Sequence, residues 1–357
     1  MGARRTTAVV GALPIGTRTD FLHGSVTRLS TAVRRDSRRV RQGSSAAPVP
    51  VASCVTVNAP QVVHSTGAEL TWPAYTDPST ATGDDIVEYQ VHRSVFQSFT
   101  PSSQTLVSPV ANDRTAFTDS TATPTPADSA DSFGNVFYYM VAVKTKDGQI
   151  IPAPTQIVRL PKAGRTTMVL QGIGTDTTLA SAQPTSGHDQ LSDSDINRTW
   201  LSVGNNSSTY GKTRSLLKFP LSGIPASSRV LEAQLDLWGF TTTTGTDGAV
   251  YEVHGLTKDF DETAATWNNT TATTPWTTAG GDMDAAVADT VGTVTNDPAR
   301  QSWYLTSLAQ NWVTNPASNK GLALRLQDES AAGPQERTVF LSSEAEEAQL
   351  RPQLVVT

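Results

Sequence analysis

The sequence predicts an all-β protein: a small β-sandwich followed by a larger one with one short helix, behind a disordered N-terminal leader. Three observations predict it. Short segments alternate apolar and polar residues with period two, β-branched and aromatic residues fill them, and Gly-, Pro- and Asp-rich turns separate them. The chain of 357 residues has room for two domains that each bury a core.

Charge marks off the leader. Residues 1–50 hold nine Arg, no Lys and two Asp, about +7, whereas the whole chain carries −6, which leaves −13 for residues 51–357. Gly, Ser and Arg with few aromatics cannot build a core, so 1–50 reads as a disordered leader ending in the linker 43–50. Arg4 and Arg5 precede an apolar run at 7–16, but Gly and Pro interrupt it, and it makes a poor signal peptide. The acidic body argues against a nucleic-acid partner. No apolar run is long enough to cross a bilayer, so no membrane partner is expected. Cys54 is the single cysteine and the five histidines are scattered, which excludes disulfide frameworks and Cys- or His-based metal motifs.

Strand candidates in the first half are 69–72, 86–93, 115–118, 136–144 and 155–160, with Asp147-Gly148 as a turn. Leu70-Thr71-Trp72, Tyr89-Gln90-Val91-His92-Arg93 and Tyr138-Tyr139-Met140-Val141-Ala142-Val143 follow one another as the strands of a small sandwich do. On these segments residues 52–161 resemble a fibronectin type III domain, which implies a spacer or protein-contact module. The loop 122–134 is long and rich in Pro, Asp and Ser.

After the connector 161–165, residues 166–357 read as a second β unit. Its strand candidates are 167–170, 200–203, 215–219, 233–238, 249–253, 322–326, 338–342 and 353–356. Helical spacing is confined to one stretch, where Leu308 and Trp312 share a face, Thr306 is placed to cap the start, and Asn319-Lys320-Gly321 lies beyond the end. Arg214-Ser215-Leu216-Leu217-Lys218-Phe219, Asp261-Glu262-Thr263…Thr266-Trp267, Ser342-Ser343-Glu344 and Arg351-Pro352 occur in that order. With these motifs the second half resembles the DNRLRE or disaggregatase-related domains, grouped with carbohydrate-binding module family 96. The resemblance implies a jelly roll on secreted or surface proteins that handle polysaccharide. Phe260 stands where the family usually has Trp, and 279–300 is longer and less apolar than the matching stretch.

Catalytic motifs are missing: no nucleophile elbow, phosphate loop or His-Glu-x-x-His is present. The carboxylate groups Asp193 with Asp195, Asp259 with Asp261 and Glu262, and Asp282 with Asp284 lie on polar loops, where capping is expected rather than glycoside cleavage. The chain is therefore expected not to be an enzyme. A sugar site needs an exposed aromatic beside planar polar groups. Six of the seven Trp lie in the second half, and most read as core. Trp276, in the Thr-rich loop 273–278, and Tyr210, in 205–211, are expected to be exposed, so the candidate carbohydrate residues are Trp276, Tyr210, Trp200 and Arg198. Asp189, Asp193, Asp195 and Asn197 offer hard oxygen ligands in one loop, which makes Ca2+ the one cofactor to consider. The expectation is a secreted, extracellular, non-catalytic module that binds polysaccharide, as a monomer or within a larger multidomain chain. Its alternatives are an adhesive piece of a surface protein and, last, a polysaccharide lyase or hydrolase.

Overall fold

Twenty strands and one α-helix are found among the described residues, and every strand pairing is antiparallel. The computed structural model describes residues 55–357 apart from 59–60, 77–85, 124–134, 190, 194–197, 206, 242–248, 293–298 and 347. The Arg-rich leader, Cys54 and most of the loop 122–134 lie outside the described residues.

The first half contributes β1 (Gln61–His64), β2 (Gly67–Thr71), β3 (Ile86–Ser94), β4 (Leu106–Ala111), β5 (Ala116–Asp119), β6 (Asn135–Thr145), β7 (Ile150–Ile151) and β8 (Gln156–Leu160). The ladder β4-β3-β6-β7, with β8 also on β6, packs against β1-β2-β5. Between them Trp72 meets Tyr89 edge-on at 5.6 Å, inside a core that includes Leu70, Val91, Val141 and Val158. Asp119 is fully buried at the edge of this core and accepts hydrogen bonds from Arg93 Nη1 and Tyr139 Oη, each at 2.6 Å, and from Thr121 N and Oγ1. Burial alone would raise the Asp119 pKa. The hydrogen bonds from Tyr139 and Thr121 and the charge of Arg93 outweigh it and hold the carboxyl below the usual 3.8.

The second half contributes β9 (Thr166–Gln171), β10 (Thr175–Ala180), β11 (Leu191–Asp193), β12 (Arg198–Gly204), β13 (Thr213–Lys218), β14 (Ala233–Thr241), β15 (Val250–Leu256), β16 (Met283–Gly292) and β17 (Ala299–Tyr304). Helix α1 (Thr306–Thr314) and strands β18 (Leu322–Leu326), β19 (Arg337–Leu341) and β20 (Gln353–Val356) complete it. Strand order runs β16-β15-β18-β13-β12-β19-β14-β20-β9, with β10 on β13 and β17 on β14. The main core lies between facing strands and includes Leu217, Leu235, Leu237, Tyr251, Val253, Leu324 and Leu354. Trp303 meets Phe340 edge-on within it.

Strands β13 and β18 are apolar on both faces. Leu217, Leu322 and Leu324 point into the main core, while Leu216 and Ala323 point the other way, into a second cluster with Leu179, Leu256, Ala265 and Trp276. The segment 257–282 forms the roof of that second cluster. Trp276 is only 5% exposed, and its Nε1 donates to the Thr266 carbonyl at 2.9 Å. Arg214 holds the roof from below, with a paired hydrogen bond to Glu329 at 2.9 and 2.6 Å. It donates through Nη1 to the Gly280 carbonyl and lies 4.9 Å from the Trp267 ring. Gly280 has φ +91°, and a Cβ there would sit 2.6 Å from Arg214 Nη1, so glycine is required at this approach.

One expectation needs correction here. Thr306 does not cap α1, whose N-cap position is Leu305 without a side-chain cap. The Thr306 hydroxyl instead accepts the Ala233 N–H of β14. Within the stretch 279–300, residues 283–292 form β16, a largely exposed strand beside β15 that reaches the cores only through Met283, Ala288 and Val291.

The two halves share a ladder. β1 pairs with β9 through Gln61↔Val169 to His64↔Thr166, and β9 pairs with β20, so residues 52–357 form one compact unit.

Replacing Trp276 by Ala should lower stability by about 3–5 kcal/mol in urea unfolding, the cost of emptying a buried aromatic site. Asp119→Asn should cost about 2–4 kcal/mol, because Arg93 and Tyr139 lose a buried ionised partner. Since the folded pKa of Asp119 is depressed, its contribution is present above pH 3.8 and is lost as pH falls through the folded value. Acid unfolding curves of the wild type should therefore be steeper below that pH than those of Asp119→Asn.

Candidate functional site

Strand alternation that points Leu235 and Leu237 into the core points Gln234, Asp236 and Trp238 out of the opposite face. The register sets their neighbours. Ser302 and Arg300 of β17 lie opposite Asp236 and Trp238, Gln353 of β20 lies opposite Asp236 on the other side, and Gln171 of β9 follows Gln353. A polar band thus crosses three strand pairings.

Asp236 is its hub and is 3% exposed. Oδ1 accepts from Gln234 Nε2 at 2.5 Å and Ser302 Oγ at 2.6 Å. Oδ2 accepts from Arg159 Nη2 of the first half at 3.1 Å, and Arg300 Nη1 stands 3.7 Å away. Gln156 of β8 donates to Gln171 at 2.6 Å, so the first half also supports the band. Burial, and secondarily the charge of Arg159, lowers the Arg300 pKa, and Asp236 counters both.

A shallow cleft opens at this band, lined by Trp238, Arg300, Asp236, Gln171, Arg351 and Gln353 among others. Trp238 is half-buried and the Arg300 side chain is 30% exposed. Gln353 Oε1 is buried without a hydrogen-bond partner in the same place. One aromatic ring, two guanidinium groups and three carboxamides (Gln171, Gln349 and Gln353) therefore border one opening.

A second constellation lies where β10 begins. One carboxylate oxygen from each of Asp176, Glu262 and Glu344 lies within 4.8 Å of the others. Asp176 is 1% exposed, Glu262 and Glu344 are half-buried. The Asp176 N–H donates to Glu262 Oε1 at 2.7 Å, Ser343 N donates to Asp176 Oδ2 at 2.9 Å, and Ser342 and Ser343 hydroxyls donate to Glu344. Burial raises the Asp176 pKa well above the ordinary value, and the charges of Glu344 and Glu262 add to it. Burial also raises Glu262, with Glu344, Asp189 and Asp261 acting in the same direction.

The residues expected from sequence fall elsewhere. Trp276 was expected in solvent but is roofed over, because the Thr-rich loop around it closes on the apolar outer face of β13 and β18. Tyr210 is half-buried with its ring edge-on to His188 at 5.4 Å. Trp200 is a half-buried β12 residue opposite Leu191 and Leu341. Arg198 opens β12 opposite Asp193, and the side chains of both lie outside the described residues. None of these four lines the cleft at Trp238. Of the expected calcium loop, Asp189 is half-buried, while Asp195 and Asn197 lie outside the described residues. The carboxylates considered for glycoside cleavage have local roles. Asp259 pairs with Lys218 and Lys320, Asp261 accepts the N–H groups of Thr263 and Ala264, and Asp282 accepts those of Thr277 and Thr278 and pairs with Lys258. No helix among the described residues is long and apolar enough to cross a membrane.

The family model of the disaggregatase related repeat domain matches residues 188–356. No curated protein matches the chain. Among solved structures, an α-L-rhamnosidase from Dictyoglumus thermophilum is similar at 8% identity and a TM-score of 0.23, over 85% of this chain and 27% of that one. A structure with xylogluco-oligosaccharide is similar at 11% identity and a TM-score of 0.24, over 87% of this chain and 59% of that one. The CBM51-2 structure in complex with GlcNAc, with INT domains, from Clostridium perfringens ZmpB gives 10% identity and a TM-score of 0.18, over 65% of this chain and 38% of that one. The chain thus spans less than two thirds of the length of each, and scores of this size say nothing about its ligand. The matched range, which includes Glu262 and Glu344, makes most of the second half similar to the disaggregatase related repeat domain.

Proposed function

We propose that this chain is a secreted, non-catalytic polysaccharide-binding protein that docks a sugar residue in the cleft at Trp238. The first half, of fibronectin type III kind, serves as spacer and as the second wall behind the polar band. The observation that carries this reading is the convergence of Trp238, Arg300, Arg351, Gln171 and Gln353 on one opening. Sugar C–H faces dock on aromatic rings, and guanidinium and carboxamide groups hydrogen-bond hydroxyls in planar, often paired geometry. The opening is a shallow depression whose enclosed part has room for about one water molecule, so a sugar ring would rest across its rim against Trp238, with the rest of the polymer lying along the surface. Arg300 and Arg351 offer planar donors to ring hydroxyls, while the Asp236 carboxylate at the same opening offsets the charge of Arg300. The match of 188–356 to the disaggregatase related repeat domain supports the same reading.

Affinity electrophoresis on gels containing alginate, pectin, mannan or peptidoglycan tests it. Retardation on at least one glycan is expected, with Trp238→Ala weakening it about tenfold or more, the scale of an aromatic anchor. Arg300→Ala should act in the same direction, while Tyr210→Ala should leave retardation unchanged. A folded sample that no glycan retards, or a Trp238→Ala variant retarded like the wild type, would overturn the proposal.

A further inference from the structure

We propose that Asp176, Glu262 and Glu344 form a binding site for one hard divalent cation, with calcium as its natural occupant. Three separate parts of the chain supply the oxygens: the start of β10, the roof segment 257–282 and the turn after β19. Their carboxylate oxygens lie within 4.8 Å of one another, the spacing of ligands around a single ion. The charges acting on the two are all negative: Glu344 and Glu262 on Asp176, and Glu344, Asp189 and Asp261 on Glu262. Acidic side chains crowd many surfaces without an ion, so the decisive observation is a different one. Asp176 is 1% exposed and its Oδ1 is buried with no hydrogen-bond partner, whereas Oδ2 is satisfied by Ser343 N. A buried carboxylate oxygen without a donor is costly, and a cation supplies the missing partner.

The neighbouring hydrogen bonds are arranged for that role. Ser342 and Ser343 orient Glu344, and the Asp176 N–H orients Glu262, so two of the three carboxylates are held in place by donors that leave oxygen lone pairs free. Oxygen ligands alone, three of them carboxylates and with Glu262 and Glu344 half-buried for water to complete the shell, select a hard ion such as Ca2+ over thiophilic or imidazole-seeking metals. Bound there, the ion ties the roof to both β10 and the end of β19. Asp189 adds to the field at Glu262 without joining the three, so the earlier expectation of a calcium loop at 189–197 and this site are separable.

Isothermal titration of CaCl2 into the EDTA-treated, desalted full chain tests the proposal without any glycan, so its outcome does not depend on the Trp238 cleft. One saturable site is expected, together with a rise in melting temperature. Glu344→Gln should weaken binding roughly tenfold or more, because affinity follows the count of charged ligands. Glu262→Gln, on the half-buried side, serves as a second variant should Glu344→Gln fail to fold. Asp193→Asn combined with Asp195→Asn should leave the titration unchanged. Limited proteolysis gives an independent readout: calcium should slow cleavage within 257–282 in the wild type and not in Glu344→Gln. Absence of saturable binding by both CaCl2 and MgCl2, or binding that survives Glu344→Gln and Glu262→Gln but is lost in the Asp193 and Asp195 variant, would overturn the proposal.

Discussion

Strands β13 and β18 are apolar on both faces, and much of the second half follows from that constraint. Leu217, Leu322 and Leu324 fill the core between the facing strands, which leaves Leu216 and Ala323 exposed unless something else covers them. Each such side chain gains about 1.5–3 kcal/mol on full burial if it is Leu-sized, so a bare outer face would be costly. The segment 257–282 covers it with Trp276, Ala265 and Phe260, and Arg214 fastens the cover through Gly280 and Trp267. Covering the face also carries Glu262 to Asp176. The position of the roof thus also assembles the acidic cluster of Asp176, Glu262 and Glu344.

The opposite problem is solved at β14. Its outward residues meet the first half, and that junction is polar rather than apolar. Asp236 collects hydrogen bonds from Gln234, Ser302 and Arg159, and the charge of Arg300 lies close by. A buried carboxylate with this many donors is tolerable where an unpaired one would not be. The arrangement leaves room beside it, and Trp238 and Gln353 border that room. The cleft therefore depends on both halves being present, since Arg159 and Gln156 come from β8.

The strands of both cores were legible wherever apolar residues alternate or run together, as in Val136 to Lys144 or Leu322 to Leu326. β10 was not, because Thr175-Asp176-Thr177-Thr178 is polar in sequence yet buried in place, its hydroxyls and carboxylate serving the interior. β16 escaped for the reverse reason, since only Met283, Ala288 and Val291 of its ten residues reach a core and their spacing imposes no period two. Trp276 misled because its neighbours are threonines, and local polarity does not reveal that a whole loop lies flat on an apolar sheet. Trp238 was read as core from its strand, but its parity with Gln234 and Asp236 already placed it on the outer face. The Asp-Glu-Thr and Ser-Ser-Glu motifs were visible separately. Their meeting at Asp176 joins residues 86 and 167 positions apart, which no local pattern can report.

The shared β1–β9 ladder has a mechanical consequence. Four residue pairs join β1 to β9 and four more join β9 to β20, so tension carried along these strands meets rungs lying across the line of pull. Such rungs must shear together instead of unzipping singly. A tug on the leading half of the described residues is therefore passed through β9 to β20 and on to β14, which borders the Trp238 cleft.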